Sequence, residues 1–195
     1  MSSERTISPR EFDLGFSFVS YGVKVVVESD DPVLKEKSLD LVSKAFGDRA
    51  EIFESLAEHS EHRFGIAKEG PIFQLYKNGA KLTGGPSERN VLKYLNGLLR
   101  MEVAEFAERR VFLHAGVVGW KGRAIVFPGK SFAGKSTLTA ELVRNGAEYY
   151  SDEYAVLEEN GYVGPFPRHL SLRYFGATRE TSVPPERLGA KIGTE

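Results

Sequence analysis

The chain has 195 residues and no cysteine. Disulfides, thiol catalysis and a cysteine-ligated zinc site are therefore excluded. It also lacks a prevailing charge. Its 26 basic residues face 27 acidic ones, so nothing in the totals points to nucleic acid or an anionic membrane as partner. No apolar run approaches membrane length, and the start, Met1-Ser-Ser-Glu-Arg-Thr, has no apolar segment of the kind a secretion signal needs. Internal repeats and low-complexity tracts are absent. The expectation is a cytoplasmic protein, with one domain or one domain and a smaller companion.

What the chain does contain is a glycine-punctuated stretch. Gly129, Lys130, Ser131, Phe132, Ala133, Gly134, Lys135, Ser136 and Thr137 fit the pattern of Gly, four residues, then Gly-Lys-Ser/Thr. The spacing has a chemical reason. The glycines let the backbone turn its N–H groups inward on phosphate oxygens. The Lys neutralises the β- and γ-phosphates, and the Ser hydroxyl can hold Mg²⁺. Such a loop must follow a strand and open a helix. Ala124 to Phe127 reads as a short buried strand, and Ser136 to Asn145 as a helix with Leu138, Leu142 and Val143 on its apolar side. Gly146 stops it. The motif predicts a bound nucleoside triphosphate, ATP or GTP, since no base-reading motif separates the two.

Two parts are expected. Residues 1–110 read as an α+β part. Strands at Phe16–Val19 and Val23–Val27 flank a turn, and Asp31-Pro32 caps a helix that Gly47 ends. A meander from Arg63 to Leu82 is broken at Glu69-Gly70-Pro71 and Asn78-Gly79. A long helix from Ser87 to Arg109 leads into the second part. His59 and His62 could share a helix face, but with no third ligand nearby they read as part of a charged, solvated stretch. Residues 111–195 carry the phosphate loop. Val111–Val118 and Arg123–Phe127 form a hairpin running directly into it, where a simple parallel nucleotide-binding unit would place a crossover helix. Ala147–Tyr150 is the next strand, followed by a hairpin around Glu159-Asn160-Gly161. Pro184-Pro185 and the glycine-bearing end read as a loop or frayed tail. The fold class expected is α/β: a mixed sheet with the phosphate loop and flanking helices, preceded by the smaller α+β part.

Phosphoryl transfer also needs an acid for the metal shell and a group for the acceptor's proton. Asp152 and Glu153 end the strand after the loop's helix, where such acids face the γ-phosphate. Adjacent strand residues point to opposite faces unless the backbone turns, so one acid could serve the metal and the other the acceptor. His114, on the neighbouring strand, would on its own be read as a core residue. Arg168 and Arg173 could clamp phosphates or an acidic acceptor, or be surface arginines.

Together, Val111 to Arg173 resembles the catalytic domain of HPr kinase/phosphorylase, a bacterial protein-serine kinase whose fold is like that of phosphoenolpyruvate carboxykinase. The resemblance rests on an order of elements: a His-bearing strand, a hairpin, the phosphate loop, a helix ending Arg-Asn-Gly-Ala, then Ser-Asp-Glu. It implies that His114 is the family's active-site histidine and that Lys135 contacts the transferred phosphoryl group. It implies that Ser136 and Asp152 serve Mg²⁺, and that Glu153 is the general base toward the acceptor hydroxyl, a protein serine or another alcohol. Three departures stand out. Glu153 replaces an Asp. Ser171-Leu172-Arg173 stands where the family has Glu-Ile-Arg, so a metal-holding Glu is replaced. The family's C-terminal helices have no counterpart, and the chain reads as a diverged or shortened member. An ATP-dependent kinase is the first expectation. A nucleotide-binding regulatory or scaffold module with little turnover, or a nucleotide-hydrolysing switch, is the alternative. The oligomeric state is left open, a homo-oligomer included.

Overall fold

The computed structural model describes residues 10–57, 60–173 and 181–194. It divides into two compact units, Met1–Phe106 and Ala107–Glu195.

The first unit is a six-stranded sheet carrying two helices. The strands are β1 (Leu14–Ser20), β2 (Val23–Ser29), β3 (Ala50–Phe53), β4 (His62–Glu69), β5 (Ile72–Lys77) and β6 (Ala80–Gly85). Their order is β3-β1-β2-β4-β5-β6. The β2–β4 pair is parallel, so this sheet is mixed. Helix α1 (Pro32–Phe46) starts as expected: the Asp31 side chain accepts from the Val33 and Leu34 amides, and Gly47 ends the helix at φ 54°. The register puts Phe16, Phe18, Val25, Val27, Phe64 and Leu75 on one face, where all are buried. Leu34, Val42 and Phe46 of α1 are buried too, with the Phe46 ring 5.2 Å from that of Phe18. Helix α2 (Glu88–Phe106) contributes Val91, Leu95, Leu99 and Val103. It ends before the expected Arg109, a residue held at φ 61° that redirects the chain. Val33 of α1 and Phe106 of α2 are exposed, as is Leu138, expected on the apolar side of the helix after the loop. His62 is not on a helix. It lies in β4, where its Nδ1 is 2.8 Å from the buried Glu102 carboxylate; His59 lies outside the described residues.

The second unit is built around one long strand, β7 (Arg110–Trp120). The hairpin partner β8 (Arg123–Pro128) pairs with its second half, Ala115 to Trp120. Helix α3 (Lys135–Arg144) then carries the chain over to the opposite edge of β7. There β9 (Glu148–Ser151) pairs with Val117–Gly119, and β10 (Tyr154–Glu158) with Arg110–His114. Strand β11 (Val163–Gly164) closes the sheet on β10, and β12 (Leu170–Leu172) pairs with β13 (Thr181–Val183). Every pairing between these strands is antiparallel, and one isolated bridge, Tyr149 to Ile192, is parallel. The expectation of a mixed sheet around the loop therefore takes a particular form. β8 and β9 run the same way, as a crossover through a helix requires, but β7 is inserted between them.

One expectation changes here and another narrows. Ala124 to Phe127 is not a buried strand: among the described residues β8 is an edge strand, paired on one side only, and Ile125 is 43% exposed. Of the two readings of the C-terminal segment, loop or frayed tail, its described part is a loop with a short 3-10 turn (Pro185–Leu188) that is held in place. The Tyr149 amide donates to Lys191 O at 2.8 Å, and the Gly193 amide to Tyr149 O at 2.9 Å. Gly193 lies so close to Tyr150 that a Cβ there would meet the ring at 1.9 Å, which is why the position takes glycine.

Candidate active site

The site starts from the turn between β8 and α3. Gly134 caps the helix at φ 85°, a conformation that glycine adopts without penalty, and it supplies no side-chain acceptor. The amide groups of the first helical turn therefore have no side-chain cap and point out of the helix end, carrying its partial positive charge. Lys135 is buried. Its Nζ reaches back across the loop to Gly129 O at 2.7 Å and Lys130 O at 3.1 Å. These bonds use two of the three ammonium donors and leave one for a ligand. The helix start is braced from behind, as Thr139 Oγ1 donates to Lys135 O at 2.9 Å. Phe132, in the middle of the loop, holds φ 69° although it is aromatic, and it is 81% exposed. The Arg173 guanidinium stands 4.8 Å over its ring, so the end of β12 comes to the loop.

Sheet register brings the remaining residues to the same level. Ala115 of β7 pairs with Pro128, the last residue before the loop, and its amide donates to Glu153 O at 3.0 Å on the other side. The loop mouth and the acidic turn are thus one strand apart on either side of Ala115, about 10 Å from each other. His114 is the next residue. On β7 it shares a face with Val118, which packs on Ala140 and Val143 of α3. His114 is an exposed residue and not a core one, and partial desolvation of its ring is the main influence holding the imidazole below its ordinary pKa. The Lys135 charge acts the same way, and the Asp152 carboxylate pulls in the opposite direction. His114 is therefore neutral at pH 7, and Lys135 and Asp152 both lie within range of its ring.

Between β9 and β10 the backbone turns. Ser151 Oγ accepts from the Glu153 amide at 3.1 Å and the Tyr154 amide at 3.0 Å, a local turn that interrupts strand alternation. The two acids consequently do not diverge to opposite faces; both meet the Arg168 guanidinium. Arg168 Nη1 bonds Glu153 Oε2, Nε lies 3.7 Å from Asp152 Oδ1, and Nη2 donates to Ser171 Oγ at 3.1 Å. Asp152 is buried at 5% exposure and also accepts from the Ser171 amide at 3.2 Å. The buried Tyr149 hydroxyl donates to Arg168 O at 2.9 Å, with Asp152 Oδ1 at 3.4 Å. Burial, reinforced by the Asp152 charge, raises the Tyr149 phenol well above its usual pKa, so it stays a donor. Arg168 is thus turned to the acids, while Arg173 stands at the loop.

A divalent cation would find Ser136, in the first turn of α3, and the remaining lone-pair position of Asp152. That is a small set. Among the described residues there is no group of three or more His, Asp or Glu able to hold a metal. Magnesium accepts such a set when phosphate oxygens and waters complete its shell, so the residues fit a cation carried by a nucleotide.

The expected residues Gly129–Thr137, His114, Asp152 and Glu153 all lie in the second unit. The sheet register joins the loop, His114 and the acids around the middle of β7, where β10 gives way to β9 on one edge and β8 ends on the other. Sequence reading missed Tyr149 and the Ser151 turn, which shape the acid pair. Only the latter left a signal, a Ser just before two acids. Among the described residues no helix is long and apolar enough to cross a membrane. Compared with family models, curated proteins and solved structures, the chain matches none.

Proposed function

We propose that the chain is an ATP-dependent phosphotransferase similar to HPr kinase, acting on a protein serine or another hydroxyl. The observation that carries this reading is the register around Ala115, which sets a Gly-Lys-Ser loop and an acid pair about 10 Å apart. That span suits a triphosphate whose terminal group reaches from the helix start toward the acids. Loop amides and the α3 dipole would hold the phosphates, and Lys135 would stabilise the charge that shifts onto the bridging oxygen. Glu153 would take the proton as the acceptor oxygen bonds to the γ-phosphorus and the bond to ADP breaks. Neutral His114 would hydrogen-bond at the terminal phosphate without adding charge. Ser136 and Asp152 would hold Mg²⁺, which supplies charge neutralisation of the phosphates when bound.

A second reading, a nucleotide-binding module with little turnover, is favoured by the engagement of both acids with Arg168. One experiment separates the two. Incubated with γ-labelled ATP and a cell extract, the wild type labels an acceptor; Glu153→Gln abolishes labelling by about 10²-fold or more while ATP affinity stays within a few-fold. Binding without labelling or phosphate release selects the module. Unchanged ATP affinity in Lys135→Ala refutes both readings.

A further inference from the structure

We propose that Arg168 is the resident counter-cation of the acid pair, keeping divalent metal off Asp152 and Glu153 until the metal arrives on a nucleotide. Arg168 is a positioning residue here. Its three nitrogens all have partners: Nε near Asp152 and donating to His169 O at 3.2 Å, Nη1 on Glu153, and Nη2 on Ser171 Oγ. Its side chain is 19% exposed, and that of Asp152 only 3%, so the pair is poorly screened by water. Two carboxylates beside a hydroxyl are the hard oxygen donors that a divalent cation takes. A dication approaching them meets a guanidinium already within 4 Å of both.

Position 171 is decisive. Its amide holds Asp152 and its hydroxyl holds Arg168. A carboxylate at 171 would add a third acid and favour a metal over the arginine. Serine leaves two acids for one fixed cation, and the balance favours Arg168. A phosphate group entering beside the acids offers the guanidinium another anionic partner, which would free the carboxylates as the metal-bearing nucleotide docks. This last step rests on the nucleotide reading above; the exclusion of free metal does not.

The test is a Mn²⁺ titration of the nucleotide-free full chain, followed by the electron paramagnetic resonance signal of free Mn²⁺. Circular dichroism checks the folding of each variant. Arg168→Gln binds Mn²⁺ at least about tenfold more tightly than the wild type, as expected for one unit charge removed at contact distance. The gain disappears in the double variant Arg168→Gln with Asp152→Asn, and Arg168→Lys, which keeps the charge, remains near the wild type. Equal Mn²⁺ affinity in wild type and Arg168→Gln overturns the proposal, as does a gain that survives in the double variant. If Arg168→Gln fails to fold, the wild type decides alone: submillimolar Mn²⁺ binding without nucleotide, lost in Asp152→Asn, overturns it too. ATP binding is titrated separately, without metal, in wild type and Lys135→Ala. A wild type that binds no ATP refutes the nucleotide reading, whereas the role of Arg168 is judged on the nucleotide-free arms.

Discussion

Asp152→Ala tests how the acid pair is built. The carboxylate is almost fully buried and has three donors around it: the Ser171 amide at 3.2 Å, Arg168 Nε at 3.7 Å and the Tyr149 hydroxyl at 3.4 Å. Removing it leaves the Ser171 amide without its acceptor, a loss of about 1–3 kcal/mol. Arg168 is not orphaned, because Glu153 and Ser171 Oγ still hold it. Its loss is therefore nearer that of a surface pair, about 1 kcal/mol, than of a lone buried pair. Tyr149 keeps its bond to Arg168 O and loses little. The sum is about 2–4 kcal/mol, which lowers the melting midpoint of a unit of this size by on the order of 10–20 °C. Asp152→Asn retains an oxygen for the Ser171 amide and loses about 1 kcal/mol. Chemical denaturation of both variants, followed by circular dichroism, gives the comparison. A wild-type midpoint for Asp152→Ala refutes the reasoning. So does an equal loss in the two variants, because the backbone amide would then contribute nothing.

In the first unit, buried Glu102 accepts from Lys77 Nζ at 2.7 Å and lies 2.8 Å from His62 Nδ1, which ties α2 to β4 and β5. Glu102→Ala should lose about 2–4 kcal/mol in the same assay and Glu102→Gln less than half of that, since Lys77 is exposed enough to turn to water. His114 should titrate below its ordinary 6.5 in a proton-NMR titration of the folded chain. Between that lower value and 6.5 the unfolded chain holds more protons than the native one. The contribution of His114 is therefore complete above pH 6.5 and is lost as pH falls toward the native pKa. The pH dependence of stability in His114→Gln should be correspondingly flatter, and a native titration midpoint at or above 6.5 contradicts this.

Much of the fold was legible because its signals are local. Asp31-Pro32 and Gly47 bound α1 through backbone capping, which needs no tertiary partner. Asn78-Gly79 turns β5 into β6 because both residues adopt positive φ readily. The loop from Gly129 to Lys135 could be read for the same reason: its glycines and lysine act on the backbone of their own segment. What stayed hidden depends on residues far apart in sequence. Whether Ala124–Phe127 is buried depends on how many strands flank it, and among the described residues β8 has only β7. The end of the chain looked loose because Gly193 and its neighbours carry no strand pattern, yet their amides pair with Tyr149.

The order of residues alone settled that a glycine-bearing turn with a lysine opens a helix, that two acids follow the next strand, and that thiol chemistry is absent. Those statements concern covalent neighbours and short-range backbone preference. Only the tertiary structure decided that β7 separates the loop from the acids, that Asp152 and Glu153 converge instead of parting, and that Arg168 rather than Arg173 meets them. The first depends on strand pairing across β7, the second on the Ser151 turn together with Arg168, and the third on burial and charge pairing between residues 15 or more apart, where the free energy belongs to the packed arrangement and not to any one segment.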